Sequence, residues 1–201
     1  MKVSDGVKRF DGLITPAWCD LYKDYINHLN KKPLLVGGEK LKKDIRNVEG
    51  YTFSSTFFKN AFYLPEEEKK DMVSKILFYY NINKSLAIPL LNYRVWFSSM
   101  DFDLTLLQVD FLKYGIDGKY EVHSDQGTNS RDRLLTVIIN LNEEYEGAEF
   151  EFYNPSNQKE MIRQEKLKKG SVLMFPSNFL FPHSIKPITK GERYSLVCWL
   201  G

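Results

Sequence analysis

Histidine is scarce in this chain: only His28, His123 and His183 occur among 201 residues. Two of the three stand where an imidazole could bind a metal. His123 lies in YEVHSDQG, just ahead of Asp125. In an extended segment residues i and i+2 point to the same side, so this imidazole and this carboxylate can converge on one ion. His183, in FLFPHSIKP, is again flanked by apolar, strand-forming residues. Two imidazoles and one carboxylate form the facial set that leaves positions open on Fe(II) for a cosubstrate and dioxygen. His-x-Asp alone arises often by chance. The plain alternatives are a surface-loop His123 and a core-packed His183. His28 falls off the apolar stripe of its own segment and is expected to be exposed, with no ligand role.

Arg193 sharpens this reading. It follows His183 in TKGERYSLVCWLG and enters an alternating strand on which Arg193, Ser195 and Val197 share one face. A guanidinium aimed into a sheet interior is costly unless an anion meets it. A dicarboxylate bound to the metal would supply that anion, and the planar fork of arginine suits a bidentate carboxylate contact.

Around these residues an ordered set of elements appears: Tyr114-Gly115, Gly118-Lys119-Tyr120, His123-Ser124-Asp125, Arg133-Leu134-Leu135-Thr136, Asn140-Leu141-Asn142, Gly147-Ala148-Glu149, Gly170-Ser171-Val172, Phe175-Pro176, His183, Lys190-Gly191-Glu192-Arg193-Tyr194 and Trp199. Ordered sets mislead less than single motifs. With this set the chain resembles the 2-oxoglutarate and Fe(II)-dependent dioxygenases, and within them the prolyl 4-hydroxylase branch with its bacterial, viral and hypoxia-sensing members. The likeness is dense over roughly the second half of the chain and loose over the first.

The resemblance implies a mainly β fold with flanking helices, its core a double-stranded β-helix of the jelly-roll, cupin-like kind. It implies Fe(II), 2-oxoglutarate and O2 as cofactors, with ascorbate as a supporting reductant. His123, Asp125 and His183 would hold the metal, and Arg193 would meet the far carboxylate of 2-oxoglutarate. Tyr114 matches a tyrosine that hydrogen-bonds the same carboxylate in related enzymes. Thr136 and Asn140 share a face of the strand at 134–141 and are expected beside the cosubstrate. A tyrosine stands at the place of Asn140 in the hypoxia-sensing relatives. Tyr120 and Trp199 read as core aromatics. Arg133 reads as a partner of Asp125 or Glu149, with the substrate entrance as its other reading.

The implied reaction is hydroxylation of an unactivated C–H, foremost of a peptidyl proline in a peptide or protein substrate, with succinate and CO2 as coproducts. A lysyl residue, a free amino acid or another small molecule remains open, because YEGAEFEFYN and GERYSLVCWL also resemble lysyl hydroxylase domains. Nucleic-acid demethylation would call for a more basic face and a further arginine beyond Arg193. A non-catalytic binding module usually lacks one of the ligands, and here all of them are present.

The elements that must position these residues are legible in outline. A 43% hydrophobic, 14% aromatic composition suits one globular domain over 1–201. Residues 1–100 are expected as helical support with a substrate loop, and 101–201 as the jelly-roll catalytic core. With 28 basic against 26 acidic residues, no global charge argues for nucleic acid. No apolar run approaches the roughly 18 residues of a membrane helix, and no leader segment is seen. A soluble, cytoplasmic protein is expected, its two cysteines, Cys19 and Cys198, buried rather than bridged. Oligomeric state is not readable.

Lys8 to Ile14 suggests a short strand. Thr15-Pro16 then opens a helix carrying Trp18, Leu21, Tyr22, Tyr25, Ile26 and Leu29 at helical spacing. Lys31 to Asn47, interrupted by Gly37-Gly38, reads as solvated, and Arg46 to Phe58 as a loop that could cover a substrate. Pro65-Glu66-Glu67-Glu68 starts a second helix with Met72, Val73, Ile76, Leu77 and Tyr80 on one face, a scaffold expected to buttress the outside of a sheet. Strands are expected in the alternating run from Phe102 to Tyr114 and at 134–141, 149–153, 171–175, 181–186 and 193–200, separated by glycine and proline turns.

Overall fold

From Leu106 onward, side chains that alternate between apolar and mixed positions build strands, as period two requires. In the computed structural model residues 3–35, 42–55, 66–98, 100 and 103–201 are described. The strands are β1 (Lys8–Phe10), β2 (Lys32–Pro33), β3 (Arg46–Asn47), β4 (Glu49–Ser54), β5 (Leu106–Tyr114), β6 (Lys119–His123), β7 (Leu135–Asn140), β8 (Tyr145–Gly147), β9 (Phe150–Asn154), β10 (Asn157–Glu165), β11 (Val172–Pro176), β12 (His183–Ile185), β13 (Ile188–Gly191) and β14 (Arg193–Leu200). The helices are α1 (Pro16–His28), α2 (Glu66–Ser85) and α3 (Ala87–Trp96).

A seven-stranded sheet in the order β1-β11-β7-β14-β5-β4-β2 packs over a five-stranded sheet in the order β10-β9-β12-β6-β3, and β13 pairs with β8 alone. Every pairing is antiparallel. This is the jelly-roll arrangement that the motif order implies.

The large sheet has two different faces. On β14, Tyr194, Leu196, Cys198 and Leu200 join the core shared with the helices. Val197 and Trp199, from the alternate positions, join a second core between the sheets with Phe150, Phe152 and Ile185. Gly170 turns the chain into β11 at φ +77, and a Cβ there would stand 2.4 Å from the Ile14 carbonyl oxygen, so only glycine fits the turn.

Helix α1 starts as expected: the Thr15 hydroxyl accepts a hydrogen bond from the Trp18 amide at 3.3 Å, and Pro16 occupies the first turn. Its buried positions are Cys19, Tyr22 and Ile26, whereas Leu21 is exposed. Both cysteines are free and buried, and burial pushes the Cys19 thiol up to about 11. Among the described residues no helix is long and apolar enough to cross a membrane.

Several expectations change. Val73, Ile76, Leu77 and Tyr80 of α2 face outward rather than inward; nothing is described for the Met72 side chain. The inward face is Phe78, Tyr79 and Ile82 instead. Phe78 stacks on Tyr25 at 3.6 Å and meets Tyr22 edge-on at 5.1 Å, and the Tyr79 hydroxyl donates to the Leu106 carbonyl. Aromatic rings bury more area than the aliphatic stripe and so decide how the helix rolls.

Helix α3 was not anticipated, because it contains Pro89. That proline sits in the first helical turn, where a missing N–H is tolerated.

Nor are the described parts of the 31–58 stretch only loop. β3 pairs with β6, and β4 pairs along β5 from Glu49↔Lys113 to Ser54↔Gln108. Gly50 admits this close approach, since a Cβ would lie 2.9 Å from the Phe111 carbonyl oxygen. Phe57, Phe58 and Gly37-Gly38 lie outside the described residues. The long β10 escaped notice because its side chains are mostly exposed on both faces, leaving no alternation to read.

If α2 is rolled as described, Ile82→Ala should cost about 2–5 kcal/mol through a buried cavity. Thr15→Ala should cost about 1 kcal/mol through the lost cap. Both are measured by urea denaturation.

Candidate metal and cosubstrate site

His123 ends β6 and His183 begins β12, and the two are direct cross-strand partners. Residues opposed in an antiparallel pair bring their Cβ atoms within about 5 Å. Their rings accordingly stand 4.3 Å apart between centroids. Asp125 lies in the bend after β6 rather than on the strand itself. Its Oδ1 is 3.5 Å from His123 Nε2 and its Oδ2 is 3.7 Å from His183 Nε2. The ligand atoms of these three residues all lie within 4.8 Å of one another, the span of one cation's coordination shell.

The second contacts of each ligand fit that use. His123 Nδ1 meets the Glu121 carbonyl at 2.8 Å, and His183 Nδ1 meets the Phe181 carbonyl at 2.9 Å. A carbonyl only accepts, so each Nδ1 carries the hydrogen and each Nε2 keeps its lone pair for a metal. Thr136 Oγ1 donates to Asp125 Oδ2 at 2.7 Å and pairs with Ser177 Oγ at 2.8 Å. Arg133 Nη1 and Ser130 Oγ hold the Asp125 backbone carbonyl at 3.2 and 3.0 Å.

Electrostatics point the same way. Burial among Phe150, Phe152 and Phe175, with His123 alongside, pulls His183 down to about 4 and leaves its imidazole neutral. Burial alone would raise the Asp125 carboxyl. The two imidazoles and the Thr136 hydroxyl outweigh it and hold the group well below the usual carboxylate range.

On the large sheet's inner face, Arg193 of β14 pairs with Tyr114 of β5, and Ser195 pairs with Asn140 of β7. Arg193 is 1% exposed, its Nε donates to Asn140 Oδ1 at 3.0 Å, and its guanidinium stands 5.4 Å from the Tyr114 ring. Arg193 Nη1 and Ser195 Oγ are buried with no partner. A buried cation with an unused donor beside an unused hydroxyl fits a carboxylate. The residues present thus fit both an Fe(II) ion and the far carboxylate of a 2-oxo diacid.

Two expected cosubstrate residues take other contacts. Thr136 orients the Asp125 carboxylate. Asn140 spends its amide on the carbonyls of Asn142, Leu167 and Lys168, while its oxygen receives Arg193 and the Tyr145 hydroxyl. Its oxygen thus ties it to Arg193. Arg133 pairs with neither expected carboxylate side chain. It lies 3.7 Å over the Trp199 ring and donates to Gln108 Oε1 at 3.1 Å. Tyr120 stacks on His123 at 3.5 Å.

Asp110, Gln108 and Ser177 were missed. Asp110 is buried and accepts from Thr52 and Gln108 at 2.8 Å each and from Arg46 at 3.5 Å. Polar residues interrupting the apolar alternation of LLQVDFLKY were the available signal.

Residues 109–201 match the 2OG-Fe(II) oxygenase superfamily. Two curated relatives are PKHD-type hydroxylases. The one from Alteromonas mediterranea is 32% identical over 69 residues, covering 34% of this chain and 28% of that protein. The one from Gloeothece citriformis is 30% identical over 95 residues, covering 45% of this chain and 40% of that protein. The aligned stretch thus spans under half the length of either relative.

Solved structures share the fold across nearly the whole chain. A 2OG-Fe(II) oxygenase family oxidoreductase from Burkholderia pseudomallei superposes with TM-score 0.68 at 14% identity, covering 98% of this chain and 85% of that one. A prolyl hydroxylase from Trichoplax adhaerens, in complex with a hypoxia inducible factor peptide fragment, gives 0.64 at 16%, covering 98% and 84%. The viral collagen prolyl hydroxylase of Paramecium Bursaria Chlorella virus-1 gives 0.57 at 18%, covering 97% and 95%.

Thr136→Val should weaken Fe(II) binding about 10- to 100-fold, because Asp125 loses the bond that orients it; an anaerobic metal titration measures this. Folded His183 holds its proton more weakly than the unfolded residue at 6.5, so unfolding takes up a proton between those pH values. Its contribution to the metal-free protein is full above about 6.5 and is lost as pH falls toward about 4. His183→Gln should flatten that part of the stability–pH curve.

Proposed function

We propose, from the match of residues 109–201 to the 2OG-Fe(II) oxygenase superfamily, that this chain hydroxylates a proline of a peptide using Fe(II), 2-oxoglutarate and O2. The observation that carries this is the convergence of His123, Asp125 and His183 beside the unmet Arg193 Nη1. Iron and 2-oxoglutarate bound there would supply the oxidising power for inserting oxygen into a C–H bond, with succinate and CO2 as coproducts.

The chain's own residues do the rest. The two imidazoles present neutral Nε2 atoms, and Asp125 presents its carboxylate under the hold of Thr136. Arg193 binds the far carboxylate in a pocket from which Tyr114 and the surrounding core exclude water. Because Asn140 fixes its Nε edge, Arg193 offers the cosubstrate its terminal nitrogens in one orientation.

The opposite end of β14 carries Trp199, whose buried indole N–H has no partner. Tyr120 stacks on His123, and Arg133, which holds the Asp125 carbonyl, lies over Trp199. Aromatic faces suit the flat, preorganised ring of a proline, and a peptide carbonyl would satisfy the indole N–H. A lysyl substrate fits less well, because its ammonium would meet Arg46 and Arg133 while Asp110 is already taken up by Arg46, Thr52 and Gln108. A reducing, cytoplasmic setting belongs to this reading and is supported by the two free, buried cysteines.

The test is an anaerobic titration of metal-free protein with Fe(II) and 2-oxoglutarate, followed by mass spectrometry of proline-containing peptides. A visible charge-transfer band is expected in the wild type, lost in His183→Ala and weakened in Arg193→Ala, with a one-oxygen gain on peptide. No band in the wild type would overturn the cofactor assignment. A band with turnover of 2-oxoglutarate but no peptide gaining oxygen would overturn the proline reading alone.

A further inference from the structure

The α2 stripe that turned away from the core leads to a surface unrelated to the metal site. Val73, Ile76, Leu77 and Tyr80 of α2 are 58%, 37%, 55% and 61% exposed. Ile88, Leu91 and Val95 of α3 are 61%, 64% and 75% exposed. Within each helix these positions recur at three- and four-residue spacing, so they share a face.

The two stripes also run on as one. Only Leu86 separates the helices, and helical hydrogen bonds cross it, Leu86 N–H to the Ile82 carbonyl at 3.1 Å and Leu90 N–H to the Leu86 carbonyl at 2.9 Å. The side of the helices holding Ile82, Leu86, Pro89 and Tyr93 is buried on the core. The helix pair is therefore apolar on two sides, of which one lies bare.

By their fractional exposures these seven residues leave roughly 700 Å² uncovered. A lone soluble protein rarely leaves more than about 300–600 Å² in its largest apolar patch. A standard stable interface takes about 800 Å² from each partner.

We propose that this stripe is the contact by which two copies of this chain form an antiparallel, two-fold dimer. Its residue order is self-complementary. Pairing centred on Lys84 sets Val73 against Val95, Leu77 against Leu91 and Tyr80 against Ile88, as an isologous contact requires. Lys84 and, at the stripe's edge, Arg94 are its charges among the described side chains, and Arg94 pairs with Asp103 at 3.7 Å. At the axis the long stem of Lys84 packs while its ammonium reaches water at the edge. A membrane surface fits poorly, since a helix lying in a bilayer interface turns a polar, cationic side to water, and here the opposite side is buried in the protein. The metal site faces the space between the two sheets, on the far side of the large sheet from the helices.

Light scattering coupled to size-exclusion chromatography over a dilution series tests this. The expected wild-type mass is twice 23.6 kDa, falling toward one chain on dilution. Leu77→Glu and Leu91→Glu, both at exposed positions, should each weaken the dimer at least tenfold while keeping the wild-type circular dichroism. Lys84→Cys, with Cys19 and Cys198 buried, should form a disulfide-linked dimer on mild oxidation, and this decides the matter if the Glu variants fail to fold. A mass of one chain at every concentration, a dimer that both Glu variants retain, or a Lys84→Cys protein that stays uncoupled would overturn the proposal. So would a monomer that binds vesicles through this face.

Discussion

The arrangement of the site depends on one cross-strand pair, His123 of β6 opposite His183 of β12. Direct opposition in an antiparallel ladder places two imidazoles side by side with almost no freedom, however far apart they stand in the chain. The third ligand needs separate control because Asp125 lies beyond the end of β6. Thr136 on the large sheet and Ser177 after β11 fix its carboxylate, while Ser130 and Arg133 fix its backbone. The His-Asp-His group is thus held from both sheets, and loosening either would spread its three side chains.

Strand β14 links this centre to its surroundings. Arg193 at its start and Trp199 near its end are on the same face, about 20 Å apart by strand rise. Each leaves a buried donor unmet, Nη1 in one and the indole N–H in the other. Unsatisfied buried donors cost on the order of 1–3 kcal/mol each, so a protein that keeps two of them on one strand gives up stability for ligand contacts. Ser195, also unmet, lies between them.

How much of this could be read beforehand follows from the range of each interaction. The grouping of His123 and His183 with Asp125 was legible because histidine is rare here and each occurrence has few competing uses. Arg193 was legible from alternation, a local property. Cross-strand register is not local, and neither the opposition of His123 and His183 nor the contact of Asn140 with Arg193 could be derived from spacing. For the same reason the hydrogen bond from Arg193 to Asn140 adds a contact that alternation alone does not indicate. Helix α2 failed for another reason. Val73, Leu77 and Tyr80 on one side and Phe78, Tyr79 and Ile82 on the other both repeat at helical spacing, so periodicity shows two stripes without ranking them. The ranking came from Tyr22 and Tyr25 of α1, which meet Phe78.

The two faces of the large sheet explain how such a site is tolerated. On the inner face, Arg193, Ser195, Asn140, Thr136 and Asp110 are all buried, a concentration of polar groups that would weaken an ordinary sandwich. On the outer face Val109, Val137, Ile139, Leu196 and Cys198 form an apolar centre that packs against α1, α2 and α3. Helix packing on one side supplies the burial that lets the other side carry unmet donors and coordinating groups. The helices are therefore part of the site's energetics without touching it, and a change at Ile82 or Tyr22 would reach the metal ligands through the sheet between them.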